Sequence, residues 1–307
     1  MSTQSISVVI PAYNAAPFLG EALDSVFAQT RPADEVIVVD DCSSDDSATI
    51  AERAGARVIR LPQNRGPFVA YNVGIAASRG ELIAHQAADD LWHPHHLDHV
   101  AGLLDGCPEA AVACAGVRMV GTRTGEWLPH ELPDRQSADA FWPSFGSTIV
   151  PHNTAIIRRA LWDKLGGYDE SRRVAMDFDF WLRAARLTRF IVSHRITADY
   201  RWHGAQISSH PLTQLQSVYW SRRRMVEELH GEPELHRRAL DRLRAIWNND
   251  LREAVWAGDR NRARALLTLA GSLPGIPQRD RIAGGFRLWT PAPLRPLGRR
   301  LLGLARA

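Results

Sequence analysis

Asp89 and Asp90 are adjacent carboxylates that follow the apolar run Leu82-Ile83-Ala84 and precede Pro94, a residue suited to the first turn of a helix. This pattern predicts a strand that delivers both carboxylates at the carboxyl edge of a parallel sheet, where open α/β sheets bind their ligands. A metal and a phosphate suit such a pair; so does a plain cap on the following helix. A second pair, Asp40-Asp41, closes the apolar run Glu35-Val36-Ile37-Val38-Val39 in the same manner. Just past the first pair lie His93, His95, His96 and His99, of which 95 and 99 stand at i, i+4 and could hold zinc. No cysteine or second histidine pair supports a zinc site, so the expectation is a solvated helix face.

These residues need a framework to converge. Ser5-Ile6-Ser7-Val8-Val9-Ile10 reads as a first strand, stopped by Pro11-Ala12-Tyr13-Asn14. Phe18, Leu19, Ala22, Leu23, Val26 and Phe27 then repeat at helical spacing. The strand ending at Asp40-Asp41 is followed by a helix opened by Ser44, Asp45 and Asp46 and running through Ala54 to Gly55. Val58-Ile59-Arg60-Leu61 makes a third strand, and a helix near 67–78 leads to the strand at 81–84. Alternating strands and helices predict right-handed crossovers and a parallel sheet. Val112 to Val117 is a further strand, residues 121–148 form a loop-rich excursion, and Asn153 to Arg159 resumes regular structure. Trp127 and Trp142 in that excursion suit either stacking on the ring of a ligand or a core beneath a long loop. No GxGxxG follows the first strand and no GxxxxGK[ST] occurs, so phosphate must be held by other means, most simply by a divalent cation on acidic strand ends.

Composition bounds the rest. With 307 residues and 45% hydrophobic content the chain can bury a sizeable core. Three cysteines, Cys42, Cys107 and Cys114, lack metal-knot spacing and predict neither disulfides nor structural zinc. No apolar run of about 18 residues and no signal-peptide pattern is seen, which predicts a cytoplasmic protein. The net charge of +3 is unevenly shared: residues 1–200 carry 18 basic and 25 acidic side chains, residues 201–307 carry 19 and 9. The basic end suits an anionic acceptor, or peripheral contact with the inner face of a membrane; without a nucleic-acid-binding motif, nucleic acid is not expected as a partner.

Val8-Val9-Ile10-Pro11-Ala12-Tyr13-Asn14, Val38-Val39-Asp40-Asp41-Cys42-Ser43-Ser44-Asp45, Gly80-Glu81-Leu82-Ile83-Ala84-His85-Gln86, Asp89-Asp90 and Gly166-Gly167-Tyr168-Asp169, in this order and spacing, resemble the inverting family 2 glycosyltransferases. The resemblance covers about residues 5–210. It implies the GT-A fold, a Rossmann-like α/β architecture with a mostly parallel sheet flanked by helices, over residues 1–210; the basic, mainly helical region at 211–307 is read from its own sequence. It further implies transfer of a sugar from a nucleotide-diphosphate donor to a glycan or small-molecule acceptor, as in surface polysaccharide synthesis. In that reading Tyr13 stacks on the base, Pro11 and Ala12 line the cleft, and Asp41 accepts from the ring N–H, which favours a UDP- or dTDP-sugar. Asp40 is a structural neighbour. Asp89 takes the position of the direct Mn²⁺ or Mg²⁺ ligand, with Ala87 where the family usually carries a first Asp. Asp177 takes the position of the catalytic base, with Met176 where a Glu is usual, and Asp179 with Arg183 forms a structural ion pair. Tyr200-Arg201-Trp202-His203, with Gln206 and Ser208, resembles the closing loop, in which His203 ligates the metal or meets the diphosphate. Ala87 and Met176 also motivate a second reading, a catalytically degenerate sugar-nucleotide-binding or scaffold protein.

From Leu212 onward the sequence predicts Arg-rich helices broken at Gly231-Glu232-Pro233 and Gly271-Ser272-Leu273-Pro274. Leu294, Leu297, Leu301 and Leu304 form a last stripe opposite Arg295, Arg299 and Arg306, suited to a membrane interface or a docking surface.

Overall fold

The computed structural model describes residues 4–129, 145–146, 150–204 and 211–282. Trp142, Gln206, Ser208 and the leucine stripe at 294–304 therefore lie outside the described residues. The chain divides into two compact units, Met1–Ser209 and His210–Ala307.

In the first unit, β1 (Ile6–Ala12), α1 (Ala16–Phe27), β2 (Glu35–Asp40), α2 (Ser47–Arg53), β3 (Arg57–Arg60), α3 (Pro67–Ala77) and β4 (Leu82–His85) alternate as the sequence predicts. Strands β3, β2, β1 and β4 lie side by side in that order, all parallel. The residues of β1, β2 and β4 are almost all buried and mostly apolar without alternation because both faces are covered, whereas β3, at the sheet edge, keeps Arg57 and Arg60 exposed. Ile6, Val8 and Ile10 of β1 and Val36 and Val38 of β2 pack with Leu19, Leu23 and Val26 of α1. Ile37 and Val39, one residue out of phase, pack with Ala70 of α3 on the opposite face. Helix α3 lies so close that a Cβ built on Gly74 would sit 2.5 Å from Val9 Cγ1 and 2.9 Å from Val39 Cγ2. Both neighbours are β-branched and buried, with no rotamer to yield. Gly74→Ala is expected to lower stability by about 1–3 kcal/mol through overpacking, measured as a lower denaturant midpoint at unchanged slope.

Beyond β4 the sheet becomes mixed. It continues through β5 (Leu91–Trp92), α4 (His96–Asp105), β6 (Ala110–Gly121), β7 (Gly125–Trp127), a 3-10 turn at His152–Thr154, β8 (Ile156–Arg158), α5 (Arg159–Leu165), α6 (Met176–Ala184) and β9 (Arg189–Trp202). The order across the sheet is β3-β2-β1-β4-β8-β6-β9-β5, with β7 on β6. β8 is antiparallel to β4 and β6, whereas β6 and β9 form a long parallel pair. Trp127 is half-buried on β7 and packs against the main core, which favours the core reading of that residue.

Three sequence expectations give way here. Helix α2 starts at Ser47, and Asp45 accepts from the Ser47 amide at 3.0 Å, so the acidic residues form a turn ahead of the helix. Pro94 also precedes its helix, since α4 begins at His96 and the Pro94 carbonyl accepts from Thr30 N. The histidines do not form a solvated face. His96 is fully buried, stacked on Trp92 with ring centroids 4.3 Å apart and Nδ1 2.9 Å from Thr197 Oγ1. His93 Nε2 meets Asp199 at 3.0 Å and His99 Nε2 meets Ser193 at 2.8 Å, so three of the four fasten α4 and its lead-in to β9. His95 pairs instead with Thr30 at 3.1 Å, and no zinc pair forms.

In the second unit, α7 (Pro211–Glu228), α8 (Pro233–Trp256) and α9 (Arg260–Ala270) enclose Tyr219, Met225, Leu243, Trp247, Leu251 and Leu266. Trp247 Nε1 donates to the Leu266 carbonyl at 2.8 Å, tying α8 to α9, and Asp259 caps α9 by accepting from Arg262 N. Among the described residues no helix is long and apolar enough to cross a membrane.

Candidate active site

The strand order reverses around β1, whose neighbours β2 and β4 come from opposite directions along the sheet, so their carboxyl ends border a crevice. The loops at these ends are laced together. Asp41 N donates to Ala12 O at 2.8 Å, Asn14 N to Ser43 Oγ at 2.9 Å, and Ala15 N to Ser47 Oγ at 2.8 Å. Asn14, with φ 48°, adopts a left-handed turn that asparagine tolerates. This turn leaves Tyr13 53% exposed at the rim, while Ala12 is buried and Pro11 half-buried. Asp40 accepts from Ser43 N at 3.3 Å, in keeping with a turn role. Asp41 is only 2% exposed, and its two oxygens accept from Arg65 N and Gly66 N, each at 2.7 Å. Each carboxylate oxygen keeps a second lone pair. The next residue, Cys42, is exposed with φ 64°.

At the other side of the crevice, β5 pairs antiparallel with β9 in the register Leu91 to Asp199. That register carries the end of β9 past the Asp89-Asp90 turn. His203 Nε2 then lies 2.9 Å from Asp89 Oδ2, two residues 114 positions apart, and both side chains are about a quarter exposed. Phe18 of α1 stacks on the His203 ring at 4.8 Å, and the Arg201 guanidinium sits 5.5 Å from the centre of the same Phe18 ring. The helical spacing of Phe18 predicts one more core residue of an amphipathic stripe; its neighbour His203, near the end of the first unit, gives it another task.

Asp90 does not cap the helix that follows, whose N-cap position is His95. Asp90 is 1% exposed, accepts from Arg201 N at 2.8 Å and from Asn153 Nδ2 at 2.7 Å, and so braces the turn from within. Burial and the neighbouring Asp89 charge push its carboxyl well above the usual carboxylate range.

Asp177 lies in the first turn of α6, whose N-cap position is Ala175 with φ 57°, and no side chain caps the helix. Burial pushes the Asp177 carboxyl up, against the lowering effect of the Phe178 and Asp177 amides. Asp179 and Arg183 form the expected ion pair at 2.8 Å, and Arg183 also donates to the Leu165 and Gly167 carbonyls, fixing α6 to the Gly166-Gly167 turn. The buried Tyr71 hydroxyl ties the two halves together: after burial, the charges of Asp90, Asp89 and Asp177, in that order, push it up.

Tyr71 belongs to a ring cluster with His85, His152, Tyr168 and Trp181 that sequence reading missed, since isolated aromatics on separate elements carry no spacing signal. The His85 and His152 centroids are 4.8 Å apart. Burial pushes His85 down to about 4 and His96 to about 3, the latter also through the nearby His99 and His93; burial and His85 push His152 well below the ordinary value. Imidazoles with lowered folded values add stability above their unfolded value near 6.5, and that stability is lost as pH falls toward the folded value. At pH 5 the loss is about 2 kcal/mol each for His85 and His96. Thermal melts should therefore show a steep fall between pH 7 and 5, and His85→Phe should flatten it by about 2 kcal/mol. An unchanged slope in that variant would mean that His85 is charged in the folded protein.

Two ligand atoms, one carboxylate oxygen and one imidazole nitrogen, stand together at Asp89 and His203, and among the described residues no cluster of three or more metal-binding side chains exists. This donor set fits a hard divalent cation that takes its remaining ligands from phosphate and water, and does not fit a closed structural site.

Comparison with known proteins identifies the family and the fold. The family profile "Glycosyl transferase family 2" matches residues 7–166, just over half of the chain. A glycosyltransferase of Rickettsia prowazekii is 28% identical over 223 residues, 70% of either chain. The succinoglycan biosynthesis protein ExoU of Rhizobium meliloti is 30% identical over 232 residues, 70% of this chain and 67% of its own. Among solved structures, S. aureus TarS 1–349 in complex with UDP-GlcNAc superposes with a TM-score of 0.69 at 20% identity, over 98% of this chain and 91% of that one. The mannosyltransferase PcManGT of Pyrobaculum calidifontis, in complex with GDP-Man and Mn²⁺, gives 0.59 at 19% identity, over 99% and 88%. The parallel β3-β2-β1-β4 layer, the acidic strand ends and the profile match together make this chain a family 2 glycosyltransferase of the GT-A fold.

Proposed function

We propose that the chain moves a sugar from a UDP- or dTDP-linked donor to an acceptor hydroxyl with inversion, assisted by Mn²⁺ or Mg²⁺, in the synthesis of a surface polysaccharide or related glycan. The observation that carries this reading is the 2.9 Å meeting of Asp89 and His203, with Asp177 near enough that its charge and that of Asp89 both act on the buried Tyr71 hydroxyl. The nucleotide sugars in TarS and PcManGT support a nucleotide-sugar donor, the UDP-GlcNAc of TarS a uridine-linked one, and the succinoglycan relative supports a polysaccharide acceptor.

Tyr13 offers its exposed ring to the base, with Pro11 and Ala12 beneath it, and Asp41 offers its spare lone pairs to the ring N–H of uracil or thymine. Asp89 and His203 would hold the cation, which supplies positive charge against the departing diphosphate. Asp177 takes the proton from the acceptor hydroxyl as its oxygen bonds to the anomeric carbon. The bond from that carbon to the diphosphate oxygen breaks with its electron pair, so one carboxylate suffices and no covalent intermediate is required. A carboxyl pushed up by burial is a stronger base than an ordinary aspartate, which suits this step.

Ala87 and Met176 favour a second reading, a sugar-nucleotide-binding scaffold without turnover. Calorimetry with UDP and Mn²⁺ followed by product mass over a donor panel separates the two. Turnover of any donor establishes the first, binding without turnover the second, and no binding dismisses both. The basic excess in residues 201–307 supports peripheral contact with an anionic membrane surface, which flotation with anionic vesicles tests.

A further inference from the structure

The loop that closes over Asp41 and the segment that leads into Asp177 are joined by a set of hydrogen bonds that neither role requires on its own. Arg65 and Gly66, whose amides bond the Asp41 carboxylate, belong to the loop between β3 and α3. The Arg65 guanidinium reaches Glu170 Oε2 at 2.7 Å. Glu170 Oε1 accepts from Asn72 Nδ2 at 3.0 Å, and Asn72 also exchanges bonds with the Tyr168 backbone, at 2.9 Å to its carbonyl and 3.0 Å from its amide. On the return, Arg173 Nη2 donates to the Asn64 carbonyl, and its stem covers Gly66, where an added Cβ would lie 3.4 Å from Arg173 Cγ. Gly66 has φ +94°, so the loop cannot accept another residue there without strain. Asp177 follows Arg173 by four residues, across the left-handed Ala175.

We infer that Arg65 and Glu170 are positioning residues that set the distance between the donor pocket at Asp41 and the base Asp177. This inference rests on the proposed roles of Asp41 and Asp177. A half-exposed ion pair contributes little to global stability. Its geometric effect is separate: a shift of the α6 start by a fraction of an ångström moves a general base out of line with its proton, and misplacement of about 1 Å can cost ~10²-fold in rate.

The test compares Arg65→Met, Glu170→Ala and the double variant for kcat, KM for the donor, UDP affinity in Mn²⁺ and melting temperature, with Asp177→Asn measured alongside. Each single variant should lose about tenfold in kcat with UDP affinity and melting temperature held, and the double variant should be no worse than either, because both break one link. Glu170→Gln, which keeps the Asn72 bond, should recover part of the loss, and it carries the test with Arg65→Met if Glu170→Ala does not fold. Normal kcat in the clip variants beside a disabled Asp177→Asn overturns this inference and leaves the proposed function standing. Losses that multiply in the double variant, or that follow melting temperature, overturn it also. Normal turnover in Asp177→Asn removes the base itself, and the inference with it.

Discussion

Asp177→Asn is expected to lower sugar transfer by about 10²–10⁴-fold while UDP affinity in the presence of Mn²⁺ stays within a factor of two. Asparagine keeps the shape of the side chain and can still accept a hydrogen bond, but it cannot take a proton. The structure makes the substitution mild in other respects. The N-cap position is Ala175, so Asp177 is not the N-cap of α6; its half-buried carboxylate accepts from the Asp177 and Phe178 amides, bonds that an amide oxygen can keep, and the loss of water around it makes an uncharged side chain suit the site. Melting temperature should therefore hold or rise slightly. Turnover, nucleotide affinity and melting measured on one preparation decide the matter, and near-normal turnover with the native acceptor would leave the mechanism without this base.

Asp89→Ala is expected to abolish the cation-dependent part of nucleotide binding, because it removes the only carboxylate that meets His203 at the rim among the described residues. Asp90 cannot take over. Its oxygens are held by Arg201 N and Asn153 Nδ2, and burial with the Asp89 charge keeps its carboxyl far from the usual acidity. The attraction between a divalent cation and a diphosphate amounts to several kcal/mol, so the loss is large on any titration. UDP calorimetry with and without Mn²⁺ reads it directly. Equal cation-dependent affinity in the variant and the parent would place the cation away from Asp89 and His203.

Strands β1, β2 and β4 were legible because they are covered on both faces and helix α1 because it carries a stripe at helical spacing, patterns that survive any tertiary arrangement, while β3, α2 and α3 were read from the turn residues that bound them. The Asp179 and Arg183 pair was legible for a similar reason, being local to one helix turn. What could not be read were partnerships made by distant strands. The inward turn of Asp90 depends on Asn153 and Arg201, and the burial of His96 depends on Thr197 of β9. A histidine at helical spacing has the same appearance in sequence whether its helix face meets solvent or a strand about a hundred residues further on. Phe18 shows the same limit from the opposite side, since an apolar stripe says that a face is covered and not that the cover is an imidazole.

Cys42 stands next to Asp41, on a turn with positive φ that lifts its thiol into solvent. The other two thiols are less available: Cys107 is half-buried, and Cys114 is buried, its ionisation pushed up by the loss of water around it. Because thiol-directed reagents attack as the thiolate forms in contact with solvent, a single fluorophore should go onto Cys42 ahead of the rest. The native chain thus carries its own attachment point for an optical probe one residue from the carboxylate proposed to read the base. Emission from that probe would follow nucleotide arrival in real time, with no coupled enzyme and no knowledge of the acceptor.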